Sequence, residues 1–130
     1  MAVNANYASA PRAAAAVLSA ANTNRDGTGV IVTVLSGGTN GTRVDDIRIS
    51  ATGTTTAGMI RFYLSLDGGT TSRLLFEVPV SAVTPSGTVQ SFQTVLTNLG
   101  ILLPDANAML RASTNSAESF HVTVTRAGNF

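Results

Sequence analysis

Residues 58–80 constrain the fold of this chain more than any other stretch: G-M-I-R-F-Y-L-S-L, then D-G-G-T-T, then S-R-L-L-F-E-V-P-V. In the first arm Ile60, Phe62, Leu64 and Leu66 share one parity and Arg61, Tyr63 and Ser65 the other, the period of two that a half-buried strand requires. The second arm repeats it, with Leu74, Phe76, Val78 and Val80 on one side and Arg73, Leu75, Glu77 and Pro79 on the other. Between them Asp67-Gly68-Gly69-Thr70-Thr71 is a glycine-rich turn, so the stretch predicts one β-hairpin. Pairing Leu66 with Ser72 then sets Leu64 against Leu74, Phe62 against Phe76 and Ile60 against Val78 inside, and Arg61 against Glu77 and Tyr63 against Leu75 outside. Burying the eight inward apolar side chains contributes on the order of 1.5–3 kcal/mol each before the entropy of ordering is subtracted. That makes the hairpin a credible folding centre.

The rest of the chain reads in the same idiom. Val30-Ile31-Val32-Thr33-Val34-Leu35 is apolar on both parities and β-branched, which predicts a strand in the middle of a sheet. Residues 43–51 alternate, with Ile47, Ile49 and Ala51 inward and Asp46, Arg48 and Ser50 outward. A strand is expected over 88–96 with Phe92 and Leu96 inward, then an apolar loop over 97–107 that plugs one end of the core. The last pair is 108–114 with 119–126, Phe120, Val122 and Val124 facing in. Seven strands, eight counting the N-terminal segment, with turn signals between them and no long helical pattern, predict an all-β antiparallel β-sandwich of jelly-roll type. Two units are expected: an N-terminal arm over 1–21 and one sandwich domain over 22–130. The arm is low in complexity and rich in alanine, and Arg12 interrupts it where a secretory signal needs a longer apolar run. It is expected either to be flexible or to order on a neighbouring subunit as a strand or a turn of helix.

Chemistry is sparse. With 130 residues and no cysteine, the chain fits one domain without disulfides, thiolate catalysis or cysteine-bound metal. The eight arginines are scattered, and there is no lysine, so no stripe forms that would track a phosphate backbone; nucleic acid is not an expected partner. No apolar run approaches the roughly 20 residues of a membrane helix, so no membrane is expected either. Asn22, Asn24, Asp26 and Gly27 imitate the start of a calcium loop, but Thr33 stands where a bidentate acid is needed, and a turn is the better reading. His121, the sole histidine, sits on an outward parity with no acid placed by sequence to orient it. Glu77 is expected opposite Arg61, and Glu118 lies in a turn, which leaves no glycosidase pair. No catalytic residue, cofactor or metal is expected. A neutral surface rich in Ser, Thr, Asn and Gly suits a protein that packs against other subunits. Interface candidates are Tyr7, Arg12, Val17 and Leu18 of the arm, with Tyr63 and Leu75 on the outer face of the hairpin.

Taken together, N-T-N-R-D-G-T-G, R-V-D-D-I-R-I, A-T-G-T-T-T-A-G-M-I-R-F, E-V-P-V-S-A-V-T-P-S-G-T-V and L-R-A-S-T-N-S-A-E-S-F-H-V resemble small structural proteins of tailed bacteriophages over residues 22–130. The resemblance rests on loop composition and segment order, so no functional residue carries over. It implies a virion protein made in the bacterial host cytoplasm. Two roles fit. One is a decoration (cement) protein on the capsid surface, a homo-oligomer with a trimer favoured, whose partners are the major capsid protein and itself. The other is a tail or fibre accessory module that binds host glycans through a loop such as residues 51–57.

Overall fold

The computed structural model describes residues 10–130. Among these residues the chain forms nine strands: β1 (Ala10–Leu18), β2 (Val32–Ser36), β3 (Thr42–Ala51), β4 (Gly58–Ser65), β5 (Arg73–Val80), β6 (Gln93–Leu96), β7 (Ile101–Leu103), β8 (Met109–Thr114) and β9 (Phe120–Asn129). No helix occurs among the described residues, so none there is long and apolar enough to cross a membrane. The strands make two antiparallel sheets packed as a sandwich. Sheet A runs β1-β9-β3-β6, with β7 also on β3, and sheet B runs β2-β8-β4-β5. The pairing is nested: β1 with β9, β2 with β8, β3 with β6 and β7, β4 with β5, all antiparallel. The 58–80 hairpin is the innermost pair of that nest.

Alternation determines which side chains meet between the sheets. On sheet A the inward rows are Ala14–Val124–Ile47–Leu96 and Ala16–Val122–Ile49–Thr94. On sheet B they include Val32–Ala112–Phe62–Phe76 and Thr114–Ile60–Val78. Phe62 stacks on Phe76 with centroids 4.8 Å apart, and Phe92 meets Phe120 edge-on at 6.3 Å. Both are favoured aromatic geometries.

Several expectations need correction. The hairpin register holds as expected from Ile60↔Val78 through Phe62↔Phe76, but a bulge follows, so Tyr63 pairs with Leu74 rather than Leu75, and Leu64 with Arg73. The bulge adds one residue to β5 and releases Leu66 and Leu75 to solvent. β2 is an edge strand, not a central one. Its apolar residues on both parities come from a bulge at Val34, which buries Val34 and Leu35 consecutively. The 97–107 segment is not all loop. Left-handed backbone at Asn98 and Gly100 turns the chain so that Ile101–Leu103 returns to β3 as a ninth strand, with Ile101 and Leu103 in the core.

From Ala10 onward the segment expected as an arm is a strand of sheet A, paired with β9 of its own chain. Alanine is the physical reason the sequence hides this. Four alanines in a row carry no polar–apolar period, and the partner strand decides which of them face in. The half-buried Ala14 and Ala16 lean on Val124 and Val122, and Leu18 closes the row over Phe120 at 1% exposure.

Candidate interaction surface

The outer faces of the two sheets are treated in opposite ways. Sheet B is roofed by residues 19–31, which cross its outer face between β1 and β2. Asn22 folds this segment on itself: its Nδ2 donates to the carbonyls of Thr28 and Val30, both at 2.9 Å, while its Oδ1 accepts from Asn24 N–H at 3.0 Å. Asp26 accepts from the Thr28 hydroxyl at 2.5 Å and the Thr28 N–H at 3.1 Å, and the hydroxyl bond is the main reason its carboxyl titrates below the ordinary value. The Asn/Asp pattern that imitates a calcium loop is thus engaged in turn bonds. Gly27 has φ of +87°, and a Cβ there would lie 2.0 Å from the Ser72 carbonyl oxygen, so only glycine lets the roof lie this close.

The roof is tied down by the side chains that sequence places on the outside. Tyr63 is fully buried, and its hydroxyl donates to the Asn24 carbonyl at 3.0 Å. Arg61, also buried, donates to the Asn22 carbonyl at 3.3 Å, and its Nε lies 3.5 Å from Glu77. Arg25 in the roof meets the same Glu77 carboxylate at 2.6 Å. Arg111 donates to the Ile31 carbonyl and to the Ser72 hydroxyl, each at 2.9 Å. The cross-strand Arg61–Glu77 pairing expected from the sequence is present, but as a covered contact rather than an exposed ion pair.

Among the described residues sheet A has no such cover. Two outward rows cross all four strands: Ala15–Thr123–Arg48–Val95 and Val17–His121–Ser50–Gln93. Val17 is 51% exposed and Val95 48%; Arg48, His121, Ala15 and Gln93 are exposed as well. Neither row contains a carboxylate. Arg48 makes no ion pair among the described residues. Asp46, on the same strand, accepts the Asn98 N–H at 3.1 Å, and Asp45 is buried and paired with Arg43.

The expected interface residues scatter. Tyr7 lies outside the described residues. Val17 is on the bare face of sheet A. Leu18, next to it, belongs to the core at 1% exposure. Arg12 is half-buried and turned inward to the sandwich, donating to the Ser36 carbonyl at 2.6 Å. Tyr63 is under the roof. Leu75 is exposed on β5, the free edge of sheet B, beside Leu74 and near a groove of about 290 Å³ lined by Leu64, Leu66, Asp67, Thr71 and Arg73. The loop at 51–57 is tied to neighbouring segments: Thr55 donates to the Ser81 carbonyl at 2.8 Å, and Glu118 accepts from the N–H and hydroxyl of Thr56. Arg48 and Val95 were not among the candidates. The alternation of residues 43–51 did turn Arg48 outward, and the same parity turns Val95 outward opposite the expected inward Leu96.

No family model matches the chain. No curated protein matches it either. Six chains of solved structures do. One belongs to the cyanophage Pam1 capsid asymmetric unit, at 14% identity and a TM-score of 0.45, covering 98% of this chain and 89% of that one.

Proposed function

We propose that this chain is a non-enzymatic structural protein of a bacteriophage virion, made in the host cytoplasm, which decorates the capsid shell and stabilises it through protein–protein contacts. The observation that carries the proposal is the asymmetry of the sandwich. One outer face is sealed by a thirteen-residue roof (residues 19–31) held by buried Tyr63 and Arg61, while the other leaves Val17, Val95 and Arg48 in solvent across four paired strands. A broad, flat, mixed apolar and arginine face suits burial against another protein, since arginine and apolar groups lead at interface centres. The nested strand pairing supports reading the sandwich as a jelly roll, an architecture used in viral shells. The bacteriophage resemblance in the sequence points the same way. His121 faces solvent between Val17 and Ser50, and each glutamate is engaged by neighbours in a different part of the fold. Self-association as a trimer belongs to the same proposal.

The test is quantitative mass spectrometry of purified particles, counting copies of this chain against the major capsid protein. A ratio near one to one is the expected result. A handful of copies per particle moves the protein to the tail or a unique vertex, and absence from particles overturns the virion assignment.

A further inference from the structure

We infer that the bare outer face of sheet A is the side that lies against the partner, and that the partner presents a flat protein surface carrying carboxylates opposite Arg48. The inference rests on the virion reading above and adds to it an orientation and a partner chemistry.

Charge selects the occupant. The two outward rows hold Arg48 and His121 and no acid, and the nearest carboxylates on β3 are already taken by the Asn98 N–H and by Arg43. A second copy docked by the same face brings another Arg48 and no acid to meet this one, so it offers the guanidinium no counter-charge. A surface bearing Asp or Glu gains a charge-assisted contact to Arg48, the guanidinium of these two rows, which has no ion pair among the described residues. Around Arg48 the neighbours are short or apolar: Thr123 and Val95 beside it in its row, Ala15 at the row's end, and Val17 in the next row. Such a surround excludes water from a central charged contact once the faces close, which raises the worth of that contact. Sheet B offers no comparable face, because its central arginine, Arg61, is already buried under the roof.

The experiment uses purified capsids stripped of this protein, re-loaded with wild-type chain, Arg48→Glu or Arg73→Glu, with bound copies measured by sedimentation at low and high salt. Arg73 is exposed on β5 of the other sheet, so its reversal makes the same change in net charge on a different side. Circular dichroism confirms that both variants keep the wild-type fold. Arg48→Glu is expected to weaken binding about tenfold or more, Arg73→Glu to bind like wild type, and salt to weaken wild type more than Arg48→Glu. Arg48→Glu binding like wild type, or both reversals weakening it equally, overturns the inference and leaves the shell assignment standing. Failure of the wild-type chain to bind the shells overturns that assignment, and this partner with it.

Discussion

Replacing Leu18 by alanine tests whether the N-terminal strand is part of the folded unit. Leu18 ends β1 at 1% exposure, opposite Phe120, whose ring is itself held edge-on by Phe92. Leucine-to-alanine changes at such sites cost about 2–5 kcal/mol, because the lost transfer energy is joined by that of a cavity the neighbours only partly fill. A domain of this size has about 5–15 kcal/mol in total, so the loss is a large share of it. At roughly 4 °C per kcal/mol for a chain of this length, Leu18→Ala lowers Tm by about 8–20 °C. Val17→Ala is the internal control: same strand, adjacent residue, but 51% exposed on the outer face, and expected within about 0.5 kcal/mol of wild type. The assay is thermal and urea denaturation followed by the strand signal in circular dichroism. A detachable arm would make the two substitutions equally silent. If Leu18→Ala melts with the wild type, or if Val17→Ala costs as much, the placement of β1 in the core is refuted. Truncation through residue 21 is likewise expected to unfold the sandwich.

Three further outcomes follow from the roof and the hairpin turn. Tyr63→Phe keeps the ring and removes the bond to the exposed Asn24's carbonyl, which water can then satisfy; the unfolding free energy from urea titration is expected to fall by about 0.5–1.5 kcal/mol, and no change would show that the hydroxyl does not hold the roof. Gly27→Ala forces a Cβ into the Ser72 carbonyl at positive φ and is expected to cost more than about 1 kcal/mol, with faster amide exchange confined to residues 22–30; protection equal to wild type contradicts the close approach. Asp67 titrates below 3.8, chiefly because it accepts the Thr71 N–H, so its contribution is complete above that value and is lost as the pH falls through its lower folded-state value. Asp67→Asn is therefore expected to flatten the acid limb of the stability profile, and an unchanged limb would dismiss the turn bond as its source.

The hairpin was legible in the sequence because its two arms alternate in phase, and pairing identical periods leaves few registers. The bulge after Phe62 was not. The apolar alternation of Leu64, Leu66 and Leu74 continues across it unchanged, and one inserted backbone residue leaves no mark in composition. β1 was hidden for the opposite reason, since a run of alanine has no period to read. The roof was recognised as a turn from its Asn, Asp and Gly, but where a turn lies is settled by bonds to distant residues such as Tyr63 and Arg111. Of the surface on sheet A, the outward direction of Arg48 could be read from parity. That nothing covers it could not.

Ile47-Arg48-Ile49 and Ile60-Arg61-Phe62 make the same point within a single chain. Each is an arginine between two core residues on an interior strand of its sheet, and each turns the guanidinium away from the core. By local sequence they are interchangeable. Arg61 is nonetheless buried, beside a carboxylate it shares with Arg25 and beneath the Asn22 carbonyl, while Arg48 stands in solvent with no ion pair among the described residues. Taking a guanidinium out of water costs several kcal/mol unless hydrogen bonds and a counter-charge offset it, and the chain gives Arg61 a hydrogen bond to the Asn22 carbonyl and the counter-charge of Glu77, while its Nε makes no hydrogen bond. It supplies neither to Arg48. A charge kept central on a flat sheet face, ringed by alanine, valine and threonine, lacks the partners that its counterpart on the other sheet receives from within the fold. A second protein with a carboxylate at that place would supply for Arg48 what residues 19–31 and Glu77 supply for Arg61.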